Sequence, residues 1–423
     1  MKKLFALILV LVMSMSLVAC GSGDKSTASN DSKPQSGTTT ENKAPEKTEP
    51  ADKDEFMVGM ICVHDTNSGY DVAHIDGLLA ACKALGIDES QVIFKYNTPE
   101  DETCADAAVD LAEAGCDIII SNSYGHQSFM QDVAEDYEDI TFIAATGDAA
   151  AASGLSNLKN IFPYTYESRY VSGIVAGLKL QELLESGKIT DPYVGYVGAY
   201  PYAEVVSGYT AFFLGIRAIV PNAHMDVTFT NSWYDPVKEA EAANALMANG
   251  CVIIGQHADS TGAPSAVQAQ LEAGKTVYSV GYNIDMLAVA PQAALTSAQN
   301  NWAVLYEYMI NQYLTGGEIP TDYAAGIAQG AQQISPLGPN CAMGTQESVD
   351  AVWAGIKSGD LKVFDTATFT VEGKPVTSAF ALDTDGDWVN DTAEAIVDGA
   401  FLESVHRSAP YFALPIDGIT KLN

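Results

Sequence analysis

Basic residues are scarce in this chain: 21 Lys and Arg stand against 54 Asp and Glu, a formal net charge of −33 at pH 7. Such a surface repels polyanions, which argues against nucleic acid or an anionic membrane face as a partner. Neither GxSxG, HExxH nor a P-loop is written, so the chain offers no nucleophile elbow, helical zinc pair or phosphate cradle. Cysteine is sparse too. Beyond Cys20 there are Cys62, Cys82, Cys104, Cys116, Cys251 and Cys341, widely spaced and without a CxxC pair, which excludes a zinc knuckle or a thioredoxin motif. Cys62 and Cys251 lie in apolar runs and read as small core residues, while a Cys104–Cys116 pairing stays open. After Ala19 no apolar run of membrane length recurs.

What is present begins at the N-terminus. Lys2 and Lys3 precede an apolar run from Leu4 to Ala19, the layout of a secretory signal peptide. The run ends in Leu17-Val18-Ala19-Cys20-Gly21, which resembles a bacterial lipobox. That resemblance implies a diacylated Cys20 as first mature residue, an anchor and not a catalyst; an ordinary signal peptide with a chance cysteine is the alternative. From Gly21 to about Asp54 the chain is Ser, Thr, Lys, Glu, Pro and Asn with almost no large apolar residue, so it cannot bury a core. The reading is a leader over 1–19, a disordered tether over 20–54, and a body outside the cytoplasm, held at the cell membrane by lipid without spanning it.

About 370 residues remain, enough for more than one lobe. Apolar β-rich runs alternate with amphipathic stretches, the pattern of an α/β fold with parallel sheets under helices. Strands are expected at Phe56–Val63, Gln91–Lys95, Cys116–Ser121 and Ile140–Ala145, then at Tyr193–Gly198, Met225–Thr230, Cys251–Gly255 and Thr276–Gly281, with helices between them. These make two Rossmann-like lobes with a ligand cleft between them. The first lobe is 55–165 with part of 285–335 crossing back; the second is 166–284 with part of 336–423. Parallel sheets place ligands beyond the carboxyl ends of their strands, and those positions are rich in aromatics, amides and acids: His64 to Tyr70, Asn122 to His126, Thr146 to Asp148, Tyr200 to Glu204, Asn231 to Pro236, Gln256 to Ser260 and Tyr282 to Asp285. A flat aromatic ligand stacked between rings, with its edge nitrogens hydrogen-bonded, uses that mixture.

The order of motifs resembles the basic membrane protein (PnrA-like) family of ABC-importer lipoproteins. Tyr166 to Gly177, Val194 to Gly198 with Pro201 to Glu204, Trp233 to Pro236, Gln256 to Ser260 and Asn301-Trp302 carry the resemblance, which covers nearly all of the chain after the tether. It implies a type I periplasmic-binding-protein fold, a purine base or nucleoside ligand, ABC permease subunits as partners and no cofactor. Residue by residue it implies Trp233 and Tyr70 as the stacking pair. It sets Asn283 where nucleoside-binding members carry an aspartate for the ribose, and Asn300 where they carry a lysine. With both ribose contacts altered, and a first loop ending Ser68-Gly69-Tyr70 with His74 four residues on, the chain resembles the subgroup that takes free bases.

Each candidate also has a plainer reading. Trp233 can pack at a strand–helix junction, and Tyr70 can do likewise. His257 and Asp259 can bind a ring edge or cap a helix. Glu204 can reach the ligand or favour the N-terminus of its helix. His74, Asn122, Tyr124 and Trp302 face either cleft or core. The acids Asp383, Asp385, Asp387, Asp391 and Glu394 have the spacing of a calcium loop, but Trp388 stands where its glycine belongs, so a solvated acidic turn is the competing reading. The expected protein binds and does not catalyse. A purine-sensing receptor without transport is the rival, and a nucleoside hydrolase using His257, Asp259 and Ser260 the enzymatic alternative.

Overall fold

A computed structural model describes residues 51–383, 389 and 391–423 of the chain. The leader, Cys20, nearly all of the tether, and Asp385 and Asp387 lie outside these residues. The elements run β1 (Val58–Ile61), α1 (Gly69–Leu85), β2 (Val92–Lys95), α2 (Glu102–Glu113), β3 (Ile118–Ser121), α3 (Gln127–Asp136), β4 (Thr141–Ala145), α4 (Ala150–Ser153) and β5 (Leu158–Pro163). Then come α5 (Thr165–Glu185), β6 (Tyr193–Gly198), α6 (Ala203–Ile219), β7 (His224–Phe229), α7 (Pro236–Ala248), β8 (Ile253–His257), α8 (Gly262–Glu272), β9 (Tyr278–Tyr282), β10 (Ala294–Asn300), α9 (Trp302–Thr315), β11 (Asp322–Ala325) and β12 (Gln332–Ile334). The C-terminal part holds α10 (Thr345–Ser358), two short hairpins, β13 (Thr370–Val371) with β14 (Lys374–Pro375) and β15 (Ile396–Val397) with β16 (Ala400–Phe401), and β17 (Ile419–Lys421).

Two sheets result. The first has the order β11-β5-β4-β3-β1-β2 and is parallel throughout. The second has the order β12-β10-β9-β8-β6-β7-β17, parallel except where β12 returns against β10. Strands β1 and β3 are buried along their whole length, as expected of parallel strands covered on both faces. The strand register puts Ile61 of β1 beside Ser121 of β3 and Gly198 of β6 beside His257 of β8, so strand ends of each sheet line up.

Local chemistry starts and stops the helices near these ends. Ser68 caps α1, its hydroxyl accepting from the Asp71 N–H at 3.3 Å. Asp235 caps α7 ahead of Pro236, accepting from the N–H groups of Val237 and Lys238 at 3.2 and 3.0 Å. Helices α5 and α6 touch at Gly173 and Gly215, where an added Cβ would sit 2.1 Å from the Phe212 carbonyl oxygen and 2.2 Å from that of Tyr170. Glycine is required there by close backbone approach.

The chain passes between the sheets three times, after β5, after β10 and after β11. Polar side chains of α5 fasten these crossings. Thr165 donates to Asn300 at 2.9 Å, Ser168 to Gln332 at 2.6 Å, and Glu167 accepts from the Ile327 N–H at 2.5 Å. Burial pushes the Glu167 carboxyl up to about 7 against that bond. Within the most specific stretch of the sequence, Tyr166 to Gly177, Glu167 and Ser168 are therefore occupied with joining the lobes. All six described cysteines are free thiols, Cys104 and Cys116 included.

Candidate functional site

A cavity measuring ≈ 380 Å³, out to its opening to solvent, is lined by residues of both sheets. From the first lobe come Tyr70, Tyr124 and Thr146; from the second come Glu204, Trp233, His257, Asp259 and Tyr282. Every one follows or ends a strand, or starts the helix after it, the position the parallel-sheet rule selects.

The first-lobe wall is held from behind. The Tyr70 hydroxyl donates to the carbonyl of Asn122. The Asn122 amide donates to Asp71 at 2.7 Å and accepts from the Val63 N–H at 3.0 Å. Burial pushes the Asp71 carboxyl up, but bonds from His64, Asn122 and Ser68 outweigh it and hold it below the ordinary carboxylate value. Tyr124 donates to Asp148 at 3.2 Å. Thr146 sits at φ +77°, a left-handed conformation that costs a β-branched residue energy, and its buried hydroxyl has no partner.

On the second-lobe wall, the Trp233 indole meets the Tyr200 ring edge-on at 5.0 Å and the Tyr202 ring at 6.1 Å. His257 Nε2 lies 3.1 Å from Glu204 Oε1. Burial, reinforced by the Arg169 charge and opposed by Glu204, lowers the His257 pKa to about 4, so at neutral pH the ring donates to Glu204 as a neutral imidazole. Asp259 accepts from the Asn283 amide at 2.8 Å. Burial, then the nearby Glu239, Asp71 and Glu204, raise its pKa well above 3.8, with Asn283 opposing. Arg169 lies beneath this floor. Its guanidinium is 3.7 Å from the centre of the Tyr282 ring and donates to the Gln256 carbonyl at 2.6 Å, while Nε and Nη2 have no partner.

Several sequence candidates stand elsewhere, each for a physical reason. The Asn122 amide is used up in the scaffold just described. Asn300 accepts from Thr165 and Gln332, both at 2.9 Å, within the crossing. His74 is wedged between Tyr70 and Trp302, its ring stacked 3.9 Å from the indole and its Nδ1 2.5 Å from the Tyr306 hydroxyl. Trp302 is 1% exposed and packs against α1 where Gly77 makes room, so it is core at the crossing. Asn283 reaches the cavity only through Asp259. Of the acidic loop, Glu394 is committed to the Ser378 hydroxyl at 2.6 Å and to the N–H groups of Ala379 and Ile396 at 2.9 and 3.0 Å. Asp383 lies by Arg407 at 3.5 Å, and Asp391 falls in the same C-terminal part. Among the described residues, no group of three acids, histidines or cysteines is placed to hold a metal ion.

Of the wall residues Val63, Ser123, Thr146 and Tyr282, the strand-end stretches marked in the sequence hold the last three, but sequence reasoning singles out none of the four as a ligand contact, nor Arg169 beneath them. The first four lie at or beside strand ends that the pattern marks. Arg169 carries a different signal, a cation ahead of the apolar, small-residue run of α5, which a buried position makes costly unless it has a task.

A family model described as ABC transporter substrate-binding protein, PnrA-like, matches residues 57–354. A purine-binding protein of Brucella abortus is 30% identical over 313 residues, covering 74% of this chain and 84% of the relative. A putative ABC transporter glucose-binding protein of Haloferax volcanii is 31% identical over 261 residues, 62% of each chain. Among solved structures, an ABC transporter solute-binding protein from Aeropyrum pernix superposes with a TM-score of 0.61 at 16% identity, over 73% of this chain and 92% of that one. The two sheets and the cavity between them are the two-lobe type I periplasmic-binding fold.

Proposed function

The chain belongs to the PnrA-like family of ABC transporter substrate-binding proteins, and from that premise we propose that it captures a purine base, free or within a nucleoside, between its lobes and delivers it to a permease. The family binds solutes outside the cytoplasm and hands them to transporter partners; it is not a family of enzymes. The observation that carries the purine reading is the placement of one aromatic ring from each lobe, Tyr70 and Trp233, on a single cavity whose floor is His257, Glu204 and Asp259. Rings provide stacking faces, and the polar floor provides donors and acceptors for ring nitrogens. The Brucella relative supports the same ligand class.

A sugar is the second reading, favoured by the Haloferax relative and by the way aromatic faces and carboxylates also suit a pyranose. A thermal-shift screen of the body from Asp54 onward, against purine bases, nucleosides, sugars and amino acids, separates the two. A ligand at about a hundred times its dissociation constant adds roughly 2.7 kcal/mol. Shifts with purines alone support the proposal; shifts with sugars alone replace it. Finding permease and ATPase genes beside this one would favour import over sensing, and their absence would favour sensing.

Cys20 is proposed as the lipid anchor. Cys20→Ala is expected to release the protein from the membrane fraction, and retention there would overturn the assignment.

A further inference from the structure

The cavity does not end at its polar floor. Tyr124, Thr146 and Glu204 also line a second, contiguous void of ≈ 870 Å³, measured out to its opening. Its far wall is Leu382, Asp383, Arg407, Ala409 and Pro410, all beyond residue 354, where the family model stops.

This wall is built firmly. Arg407 is 8% exposed, and its guanidinium lies 3.3 Å from the Asp148 carboxylate of the first lobe and 3.5 Å from that of Asp383. The remaining nitrogens of the same fork donate to the carbonyls of Ala409 and Pro410, each at 3.3 Å. Next along the chain, Ser408 donates from its N–H and its hydroxyl to Asp322 of β11 at 2.9 and 2.8 Å. The segment then ends in β17, paired to β7 of the second sheet. Asp148, 5% exposed, is steadied in turn by Gln127 at 3.0 Å.

We propose that this C-terminal wall forms a second compartment of the binding site, one that takes an uncharged, hydroxyl-bearing substituent carried by the ring and rejects a phosphorylated one. The inference rests on the purine reading. Asp148, Asp383 and Glu204 outnumber the single cation Arg407, which already faces two of them. Hydroxyl groups donate to such acceptors, whereas a phosphate meets net negative charge in a partly desolvated space. Asn283 and Asn300, the positions where related chains are expected to hold a ribose, do not face this compartment.

Calorimetric titration of the body with hypoxanthine, inosine and inosine monophosphate tests the idea, using Leu382→Trp and Ala409→Trp to fill the compartment from its far wall, with circular dichroism to confirm that each variant folds. Inosine is expected within about tenfold of hypoxanthine in affinity, and the monophosphate at least about a hundredfold weaker. Either folded variant should weaken inosine by about tenfold or more and leave hypoxanthine within about twofold. If hypoxanthine binds and inosine does not, or if folded variants weaken both alike or neither, the compartment is refuted while the purine reading stands. If the monophosphate binds as well as inosine, the charge argument falls. No binding of either base or nucleoside overturns the purine reading and this inference together.

Discussion

The side-chain amide of Asn283 donates to Asp259 across 2.8 Å, joining the ends of the neighbouring strands β9 and β8 at the edge of the cavity. Asn283 adopts φ +63°, a left-handed conformation that asparagine tolerates better than most residues and that aims its amide at the carboxylate. One neutral donor offsets little of the cost of burying a carboxylate among Glu239, Asp71 and Glu204, and the Asp259 pKa is raised accordingly.

Asp259→Asn tests that cost. An acid whose folded pKa exceeds its unfolded one keeps its proton in the folded state while the unfolded chain gives it up, so stability falls as pH rises from the unfolded value toward the folded one. The variant is expected to be more stable than the parent at pH 8, with the advantage shrinking as pH approaches 4, in denaturant titrations across that range. In parallel, purine affinity should drop by about 1.5–3 kcal/mol, as for loss of a hydrogen bond to a charged or strongly polar group. A variant no more stable at any pH would mean that the carboxylate is solvated.

Trp233→Ala should weaken purine binding by about 1–3 kcal/mol through lost stacking and buried area, while Trp233→Phe retains most of the affinity. Because the indole is half-buried against Tyr200 and Tyr202, calorimetry must be paired with a melting curve. Unchanged affinity in a folded Trp233→Ala protein removes the ring from the site.

Much of this architecture can be read in the sequence because its causes are local. Runs such as Ile118–Ser121 and Tyr278–Tyr282 are short, apolar and β-rich, and helix starts carry caps at Ser68 and Asp235. Strand ends follow from the strands, so loops at the right level of the fold are visible too. What the sequence does not reveal is where a side chain at a strand end points. Asn122 and Tyr124 are two residues apart, yet one is spent on Asp71 and Val63 while the other faces the cavity. The C-terminal wall is harder still. Its hairpin strands are two residues long and show no periodicity, and it is held by long-range contacts, among them the Arg407 fork reaching across the chain to Asp148 and Ser408 bonded to Asp322.

Free bases are expected to compete at least as well as their nucleosides in a displacement assay. Asn283 is bound to Asp259, and Asn300 is bound to Thr165 and Gln332, so neither supplies the charged ribose contact implied for nucleoside-binding relatives. A clear nucleoside preference would refute this reading and shift attention to the compartment walled by Arg407.

The last prediction concerns His257, held neutral near pH 7 by a pKa lowered to about 4. Purine affinity should therefore show no titration of this ring between pH 8 and about 5.5. Stability behaves differently. A base with a depressed folded pKa contributes stability that is present above its unfolded value and is lost as pH falls toward the folded one, because only the unfolded chain takes up the proton. His257→Gln keeps a donor for Glu204 but cannot titrate. The stability difference between parent and variant should thus narrow or reverse as pH drops from about 6.5 to 4, by at most about 1.4 kcal/mol per pH unit. His74, lowered to about 3 by its own burial, is common to both proteins and cancels. A difference that is constant across the range in urea titrations would show that His257 is protonated as readily in the folded chain as in the unfolded one, and that its burial does not disfavour the charged ring.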